Sequence, residues 1–256
     1  MKIFLFLLTF LSSIHLHSQN KNNINIEILS LFLNNSSNNY SSTPYKNEFY
    51  FISDRLNSKK NLFYTDFKSN PRIIELESKY YIGPICFDNN NVYLTLIKDG
   101  FNPSIYKGKI INYKITNLKK LKFCKSNYSY GHPSILGNLM VLSRKKNNKF
   151  ALMLYENIND KWNIKNVIIE EKSTLIFPFF KDKNTIIFSS KRKGGIGGLD
   201  LYKIEKLNGI WSAPINLKDF NSKFDDFSLV YTSEYTGYFS SNRYYKDHIF
   251  KFTIKH

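Results

Sequence analysis

Cysteine, tryptophan, methionine and histidine are scarce in this sequence of 256 residues, with 2, 2, 3 and 5 copies. Two cysteines, Cys86 and Cys124, cannot form the multi-disulfide framework of a small secreted domain, and the sequence leaves open whether they form one disulfide or stay buried thiols. The histidines are too scattered to match the ligand spacing of a zinc site. We therefore predict neither a metal nor a cofactor.

Long hydrophobic runs are also lacking, except at the N-terminus. Lys2 precedes an apolar run from Ile3 to Leu11, and small and polar residues follow it. This order of a basic residue, an apolar run and small residues is the layout of a secretory signal peptide. The apolar run is also too short to span a bilayer, which argues against a membrane helix. We predict a signal peptide over residues 1–18. The remainder, residues 19–256, is expected to be periplasmic, associated with the outer membrane or secreted, and not an integral membrane protein.

Sequence signatures of nucleophilic catalysis and of nucleic-acid binding are missing. The chain has neither a Gly-x-Ser-x-Gly nucleophile elbow nor a sialidase-type Asp box. It has 37 basic and 20 acidic residues, but no RNA-binding motif and no groove-reading helix accompany that charge. These absences favour a protein that is not an enzyme and does not bind nucleic acid.

Aromatic residues, by contrast, are abundant, with 22 Phe and 18 Tyr, and they favour strands over helices. One pattern recurs along the chain: an apolar strand that ends in Ser and a basic residue. Its copies are centred on Phe51, Leu94, Leu142, Phe188 and Phe239, at intervals of 43 to 51 residues. That interval is the length of one four-stranded blade of a β-propeller.

A second marker holds the same register. The residues at the corresponding places before the five centres are Pro44, Pro84, Pro133, Pro178 and Leu229. Each copy can be divided into strands A to D, with the marker in strand A and the aromatic centre in strand B. The predicted blades cover about residues 40–80, 81–125, 126–173, 174–222 and 223–256.

The fifth copy lacks a strand D, and the alternating segment 23–34 is otherwise unassigned. We expect this segment to supply the missing strand and to close the ring, because an unpaired sheet edge is a liability. The prediction is therefore an all-β, single-domain, five-bladed β-propeller of four-stranded antiparallel blades, with six blades less favoured.

The fourth copy and the start of the fifth resemble the WD40-like β-propeller repeat of the TolB type. They are similar in particular to envelope proteins of the OmpA family that accompany type IX secretion and gliding machinery. The strong match covers residues 186–243. The matching residues are Phe188, Ser189, Ser190, Arg192, Gly194, Gly195, Gly197, Gly198, Asp200, Tyr202, Asn208, Gly209, Trp211, Pro214, Asn216 and Leu217.

The resemblance implies an envelope propeller used for protein interaction. One departure is that Ser228-Leu229 stands where the family has Ser-Pro. We expect neither the helical-repeat domain nor the peptidoglycan-binding domain of the larger members.

The glycine cluster at 194–198 invites comparison with a phosphate-binding loop. Such a loop leads into a helix, whereas Leu199 to Ile204 alternate as a strand. We therefore interpret the cluster as a B–C hairpin turn with glycines at positive φ. The pair Asp225 and Asp226 is interpreted as binding turn amides at the start of the last strand A, in preference to a calcium ion.

Carbohydrate binding or cleavage in the central channel is the alternative function. Glycoside hydrolysis needs carboxylates that converge on one site. Asp88, Asp182 and Glu234 fall at equivalent strand tips and could ring one mouth of the channel, although acids at such tips commonly serve as turn residues.

Basic residues concentrate at the B–C turns, which all lie on one face of a propeller. The candidate partner-binding residues are Arg55, Lys59, Lys60, Arg144, Lys145, Lys146, Lys191, Arg192, Lys193 and Arg243. The arginines could instead pair with nearby strand C acids, Arg192 with Asp200 or Arg243 with Asp247, which would leave the lysines to make the face basic. Such a face attracts an anionic partner, namely an acidic protein, lipopolysaccharide phosphate or an anionic polysaccharide.

The sequence thus predicts a non-enzymatic interaction or scaffold propeller of the bacterial cell envelope, linked to secretion or gliding machinery. Its expected partner is an envelope protein or an anionic envelope component.

Overall fold

The computed structural model describes residues 23–29, 36–56, 59–77 and 79–255. The predicted signal peptide and part of segment 23–34 lie outside the described residues. Within the described residues the chain forms 21 β-strands, arranged in five antiparallel sheets, and no helix.

Each sheet is one blade, and its strands A to D follow one another in the chain except in the last blade. The first blade contains β2 (Asn39–Tyr45), β3 (Glu48–Leu56), β4 (Lys59–Thr65) and β5 (Arg72–Ile73). The second contains β6 (Tyr80–Asp88), β7 (Asn91–Lys98), β8 (Ser104–Ile111) and β9 (Lys114–Lys120). The third contains β10 (Ser129–Leu136), β11 (Leu139–Lys146), β12 (Lys149–Ile158) and β13 (Lys161–Glu171).

The fourth blade contains β14 (Ile176–Asp182), β15 (Thr185–Ser190), β16 (Asp200–Leu207), β17 (Ile210–Trp211) and β18 (Ile215–Asn216). Its strand D is divided, because β17 and β18 both pair with β16. The fifth contains β19 (Asp226–Tyr231), β20 (Thr236–Ser241), β21 (His248–Lys255) and β1 (Asn23–Ile28). This arrangement confirms the predicted five-bladed β-propeller.

The N-terminal strand closes the ring. β1 runs antiparallel to β21, with Ile24 opposite Ile254 and Ile28 opposite Phe250. Ile24 and Ile26 pack against the apolar cluster of the last two blades. The predicted closure by a strand from the N-terminal segment is therefore confirmed.

The apolar core lies between neighbouring blades. The five strand B centres are all fully buried, with 0% exposure of Phe51, Leu94, Leu142, Phe188 and Phe239. Clusters join one blade to the next, as Val141 and Leu152 of the third blade do with Phe188 of the fourth. The spacing of the repeat therefore reflects one buried aromatic or leucine per blade.

The innermost strand of every blade contains a β-bulge at the same place. The residue pairs at the bulges are Ser41–Ser42, Gly83–Pro84, His132–Pro133, Phe177–Pro178 and Ser228–Leu229. Proline is tolerated there because a bulge leaves one N–H outside the ladder. In the first blade Ser42 occupies this place, so the assignment of Pro44 as the marker is wrong by two residues.

Hydroxyl groups bridge all five joints between blades. At three joints the bulge N–H donates to a hydroxyl on strand B of the preceding blade: Ser41 to Ser240, His132 to Thr95 and Ser228 to Ser189, at 2.9 to 3.2 Å. The other two joints use different groups. The Thr43 hydroxyl donates to the Ile85 carbonyl at 3.1 Å, and the Phe180 N–H donates to Ser134 Oγ at 3.1 Å.

The closing strand provides a test of the ring. The double substitution Ile24→Ala and Ile26→Ala should lower the free energy of unfolding by about 2–4 kcal/mol, because both half-buried side chains pack on the core. Urea denaturation measures the change. The matched control is Asn25→Ala with Glu27→Ala on the exposed side of the same strand, for which we expect less than about 0.5 kcal/mol. Equal losses from the two double variants would contradict the proposed role of β1.

Candidate functional site

The ten predicted partner-binding residues lie at one end of the five sheets, which we call the B–C face. It carries the B–C turns and the connections from each strand D to the next strand A. Arg55 and Arg144 lie near the ends of β3 and β11, and Arg192 and Arg243 follow β15 and β20. The structure therefore brings the set to one face, but its arginines and lysines have different surroundings.

The arginines are held by the fold. The Arg243 guanidinium lies 5.1 and 5.0 Å from the ring centroids of Phe239 and Phe250. It also donates to the fully buried carboxylate of Asp226. Arg192 stacks on Tyr202 at 4.8 Å and donates to Glu171 at 2.7 Å.

The other two arginines follow the same pattern. Arg55 lies 5.0 Å from the centroids of Phe51 and Phe63 and donates to Asn39 at 2.7 Å. Arg144 lies 4.9 Å from the Tyr128 centroid and donates to Glu170 at 3.0 Å. Each guanidinium therefore lies against one or two aromatic rings and donates to a polar group on a neighbouring strand or connection.

The predicted pairings of Arg192 with Asp200 and of Arg243 with Asp247 are wrong. Their partners are Glu171, at the end of strand D of the preceding blade, and Asp226, at the start of strand A of the same blade. Asp200 is unavailable because its buried carboxylate accepts the N–H groups of Ile196 and Gly197 and the amide of Asn216.

The second serine of the repeat orients the arginine that follows it. The Nε groups of Arg55, Arg192 and Arg243 donate to the hydroxyls of Ser53, Ser190 and Ser241, at 3.1, 3.4 and 3.0 Å. Together with the joints bridged by the first serine, these contacts account for the Ser-Ser-x-Arg pattern by structure alone.

The six lysines of the predicted set are all exposed: Lys59, Lys60, Lys145, Lys146, Lys191 and Lys193. None of them forms an ion pair with a described residue. Four lie over aromatic rings, at 4.9 to 5.5 Å from the centroids of Tyr81, Tyr40, Phe150 and Tyr128. The uncompensated positive charge of the B–C face therefore comes from lysine.

The glycine cluster is a tight B–C connection between β15 and β16. Only Gly194 has a positive φ, of 83°, so the expectation of left-handed glycines applies to one of the four. Gly197 has a different requirement, because a Cβ there would collide with the carbonyl oxygens of Ser222 and Phe224. The loop thus packs closely against the connection into the last blade.

The acidic pair Asp225 and Asp226 binds turn amides, in agreement with the interpretation from sequence. Asp225 accepts the Leu199 N–H at 2.6 Å, and Asp226 accepts both the N–H and the hydroxyl of Ser222. Among the described residues no group of three His, Cys, Asp or Glu side chains is placed to hold a metal ion.

The axial channel is divided by aromatic residues. Tyr40, Phe177 and Phe227 pack together, with ring centroids 6.1 and 5.3 Å apart, and the His132 ring lies 4.3 Å from Phe177. On the far side of this layer from the B–C face lies a cavity of about 200 Å³. On the near side a funnel of about 620 Å³ opens onto the B–C face.

The acids proposed for a glycan site do not line the far cavity, which has no carboxylate among its described lining residues. Asp182 instead accepts the Asn184 N–H at 2.7 Å within its turn, Asp88 contacts Asn89, and Glu234 is exposed. The near funnel is lined by two other carboxylates, those of Asp225 and Asp247. From the sequence, Asp247 was expected to be one of the few acids on the B–C face and a partner for Arg243, and its place in the channel lining was not predicted.

Both cysteines are free, which decides the question that the sequence left open. Burial raises the pKa of the Cys86 thiol, and it raises the pKa of Cys124 to about 11. Both thiols are therefore protonated and unreactive at neutral pH.

No described segment forms a helix that is long and apolar enough to cross a membrane.

Comparison with known proteins identifies the fold. No family model and no curated protein matches the sequence. A gluconolactonase from Xanthomonas campestris superposes with a TM-score of 0.53 at 6% identity, over 80% of this chain and 69% of that one. The PQQ-bound aldose sugar dehydrogenase from Streptomyces coelicolor superposes with a TM-score of 0.52 at 7% identity, over 91% of this chain and 99% of that one.

A putative TolB from Agrobacterium tumefaciens is also among the structural neighbours, with a TM-score of 0.49 at 11% identity. The match covers 66% of this chain and 60% of the TolB chain. The two matches with TM-scores above 0.5 support the β-propeller fold and no activity, because one fold hosts many functions.

The buried ion pair of the last blade can be tested directly. Arg243→Ala should lower the free energy of unfolding by about 3–5 kcal/mol, because it leaves the buried Asp226 carboxylate without its cation. Adding Asp226→Asn to that variant should restore part of the loss. Lys193→Ala, at an exposed residue of another B–C turn, is the control and should change stability by less than about 0.5 kcal/mol. Guanidinium denaturation of the three variants and of the unaltered protein measures these changes in the free energy of unfolding, and an unaffected Arg243→Ala variant would contradict the assignment.

Proposed function

We propose that this protein is an exported, non-enzymatic interaction module of the bacterial cell envelope that binds an anionic partner through the lysines of its B–C face. The observation that carries the proposal is the difference between the two kinds of basic residue on that face. The arginines lie against aromatic rings and donate to acids or, for Arg55, to the side chain of Asn39, whereas the lysines are exposed and unpaired among the described residues.

The charge balance of the face supports an anionic partner. Further exposed lysines lie at B–C turns, at Lys98 and Lys246. Of the acids there, Asp54 is held by the N–H and the side-chain amide of Asn38, at 2.8 and 2.6 Å. A face with an excess of one sign attracts the opposite charge over about 8–10 Å at moderate ionic strength.

Aromatic rings beneath the lysines strengthen the same argument. A ring that lies against a lysine stem restricts its ammonium to a smaller region, so less conformational entropy is lost when a partner binds. Lys145 over Phe150 and Lys146 over Tyr128 show this arrangement at adjacent positions of one strand end.

The envelope setting of the proposal follows from the resemblance of residues 186–243 to the TolB-type repeat and from the signal-peptide pattern at 1–18. On the same grounds we propose a link to secretion or gliding machinery. The partner is then an envelope protein with an acidic surface or another anionic component of the envelope.

Binding to heparin, a soluble polyanion, tests the charge of the face. The variant that tests it replaces five lysines by glutamine: Lys59, Lys60, Lys145, Lys146 and Lys193. Its dissociation constant at low salt should rise by roughly tenfold or more, and the dependence of affinity on salt should become weaker, because exposed charges act through screened attraction.

The matched control removes the same net charge from the opposite face. It replaces five exposed lysines near the A–B and C–D turns by glutamine: Lys46, Lys109, Lys114, Lys161 and Lys183. We expect this variant to keep most of its heparin affinity. If both variants lose affinity equally, binding depends on net charge alone and the B–C face is not the binding surface.

Photo-crosslinking in intact bacteria tests whether a component of the cell envelope binds to the B–C face. A photoreactive amino acid in place of Lys146 should capture a distinct envelope component that mass spectrometry identifies. The same group in place of Lys161, on the opposite face, should not capture it. Recovery of the same species from both positions, or of cytoplasmic proteins only, would contradict the proposal.

A further inference from the structure

The funnel on the B–C face combines aromatic walls with polar groups at its base. Tyr40, Phe177 and Phe227 form the aromatic layer across the channel, and all three line the funnel. His132 lies against Phe177 at the base. A cavity of about 620 Å³ is large enough to admit the side chain of another molecule.

Two buried polar atoms in the funnel wall have no hydrogen-bond partner among the described residues, Ser143 Oγ and His132 Nδ1. Ser143 is 5% exposed. Unsatisfied buried polar atoms are uncommon in folded proteins, and both of these side chains can accept a hydrogen bond from a donor that reaches them. Burial lowers the pKa of His132 to about 4, so the imidazole is neutral at pH 7 and adds no positive charge to the base.

Two carboxylates complete the lining. The Asp225 carboxylate accepts hydrogen bonds from Leu199 and Asn242, which are neutral donors. The Asp247 carboxylate has no hydrogen bond to a described residue, and neither acid forms an ion pair with one. Burial, followed by Asp225 and Asp54, raises the pKa of Asp247, while Lys60 and His248 act in the opposite direction. The base of the funnel is therefore a region of negative charge within a basic face.

One of the protein's own cations shows which chemistry the funnel accommodates. Lys60 lines the funnel, and its ammonium lies 5.5 Å from the centroid of the Tyr40 ring. Its charge favours the ionised form of Asp247. Lys60 is exposed, so it can move aside. Arg144 and Lys145 also line the funnel, but Arg144 pairs with Glu170 and Lys145 lies over Phe150. Neither of them forms an ion pair with Asp225 or Asp247.

We infer that this funnel is a socket for a single cationic side chain, an arginine or a lysine, that a partner polypeptide inserts at the propeller axis. Guanidinium and ammonium groups carry only hydrogen-bond donors, and Asp225, Asp247, Ser143 and neutral His132 can all accept. A planar guanidinium also stacks on aromatic rings.

The surrounding lysines determine the rest of the partner's chemistry. A partner that brings a cation to the axis must carry acidic groups around it to tolerate the lysine-rich rim. This inference goes beyond the proposed function, because the cation site is defined by the funnel alone and can be measured without any polyanion.

The first experiment compares two probes of equal shape, N-acetyl-arginine methylamide and N-acetyl-citrulline methylamide, by NMR titration of the intact protein. Arginine should bind at least about tenfold more tightly, because only its side chain forms charge-assisted hydrogen bonds with the carboxylates. Its affinity should fall as the pH is lowered, because protonation of Asp247, whose pKa is raised by burial, removes negative charge, and protonation of His132 adds positive charge. Equal affinity for citrulline would overturn the inference.

The second experiment uses two substitutions that are expected to change the affinity for arginine in opposite directions. Asp247→Asn, a nearly isosteric change, should weaken arginine binding by on the order of tenfold. Lys60→Met should tighten it several-fold, because the internal competitor is removed. Lys59→Met removes the same charge from a lysine that lies over Tyr81 outside the funnel, and it should leave arginine binding unchanged.

The outcomes separate this inference from the proposed function. Lys60→Met and Lys59→Met should both weaken heparin binding slightly, whereas only Lys60→Met should strengthen arginine binding. If the two variants bind arginine alike, or if Asp247→Asn binds it as well as the unaltered protein does, the socket does not exist. The heparin experiment would then still test, independently, whether the lysines of the B–C face bind an anionic partner.

Discussion

All five joints of the ring share one kind of interaction, a hydrogen bond between a hydroxyl group of one blade and the backbone of its neighbour. A bulge in each innermost strand leaves an N–H group outside its own ladder, and such a group is costly when it is buried. At three joints a strand B hydroxyl of the preceding blade accepts that N–H, as Ser240 does for Ser41. The bulges also fix which side chains reach the axis, so the packing of the blades and the form of the channel have the same origin.

Much of this architecture could be predicted from the sequence, because each blade repeats the same requirement for one fully buried residue in strand B. Phe51 and Phe239, at opposite ends of the repeat array, occupy equivalent places. Closure by the N-terminal segment followed from the missing strand of the fifth copy. The marker of the first blade was misassigned because Pro44 lies near the A–B turn, two residues beyond the bulge. Proline suits both places, and sequence spacing could not distinguish them.

The candidate site was harder to predict because its residues come from different blades. Tyr40, Phe177 and Phe227 belong to three blades and have no common identity within the repeat. Their convergence follows only from the closed ring. The partner of Arg192 was missed for a similar reason, since Glu171 belongs to the preceding blade. What the sequence did show was the location of the basic residues, and the structure then divided them into fold-bound arginines and exposed lysines.

The pairing of β1 with β21 has a consequence for the order of folding. Asn23 and Lys255 are partners in one sheet, so the first described strand has no place to pair until the last has been synthesised. Contacts of such high sequence separation make folding slow. The ring therefore stays open until β21 has been synthesised. In an exported protein, as we propose this one to be, β1 and β21 can pair only once both are on the same side of the membrane, so export and closure of the ring are coupled.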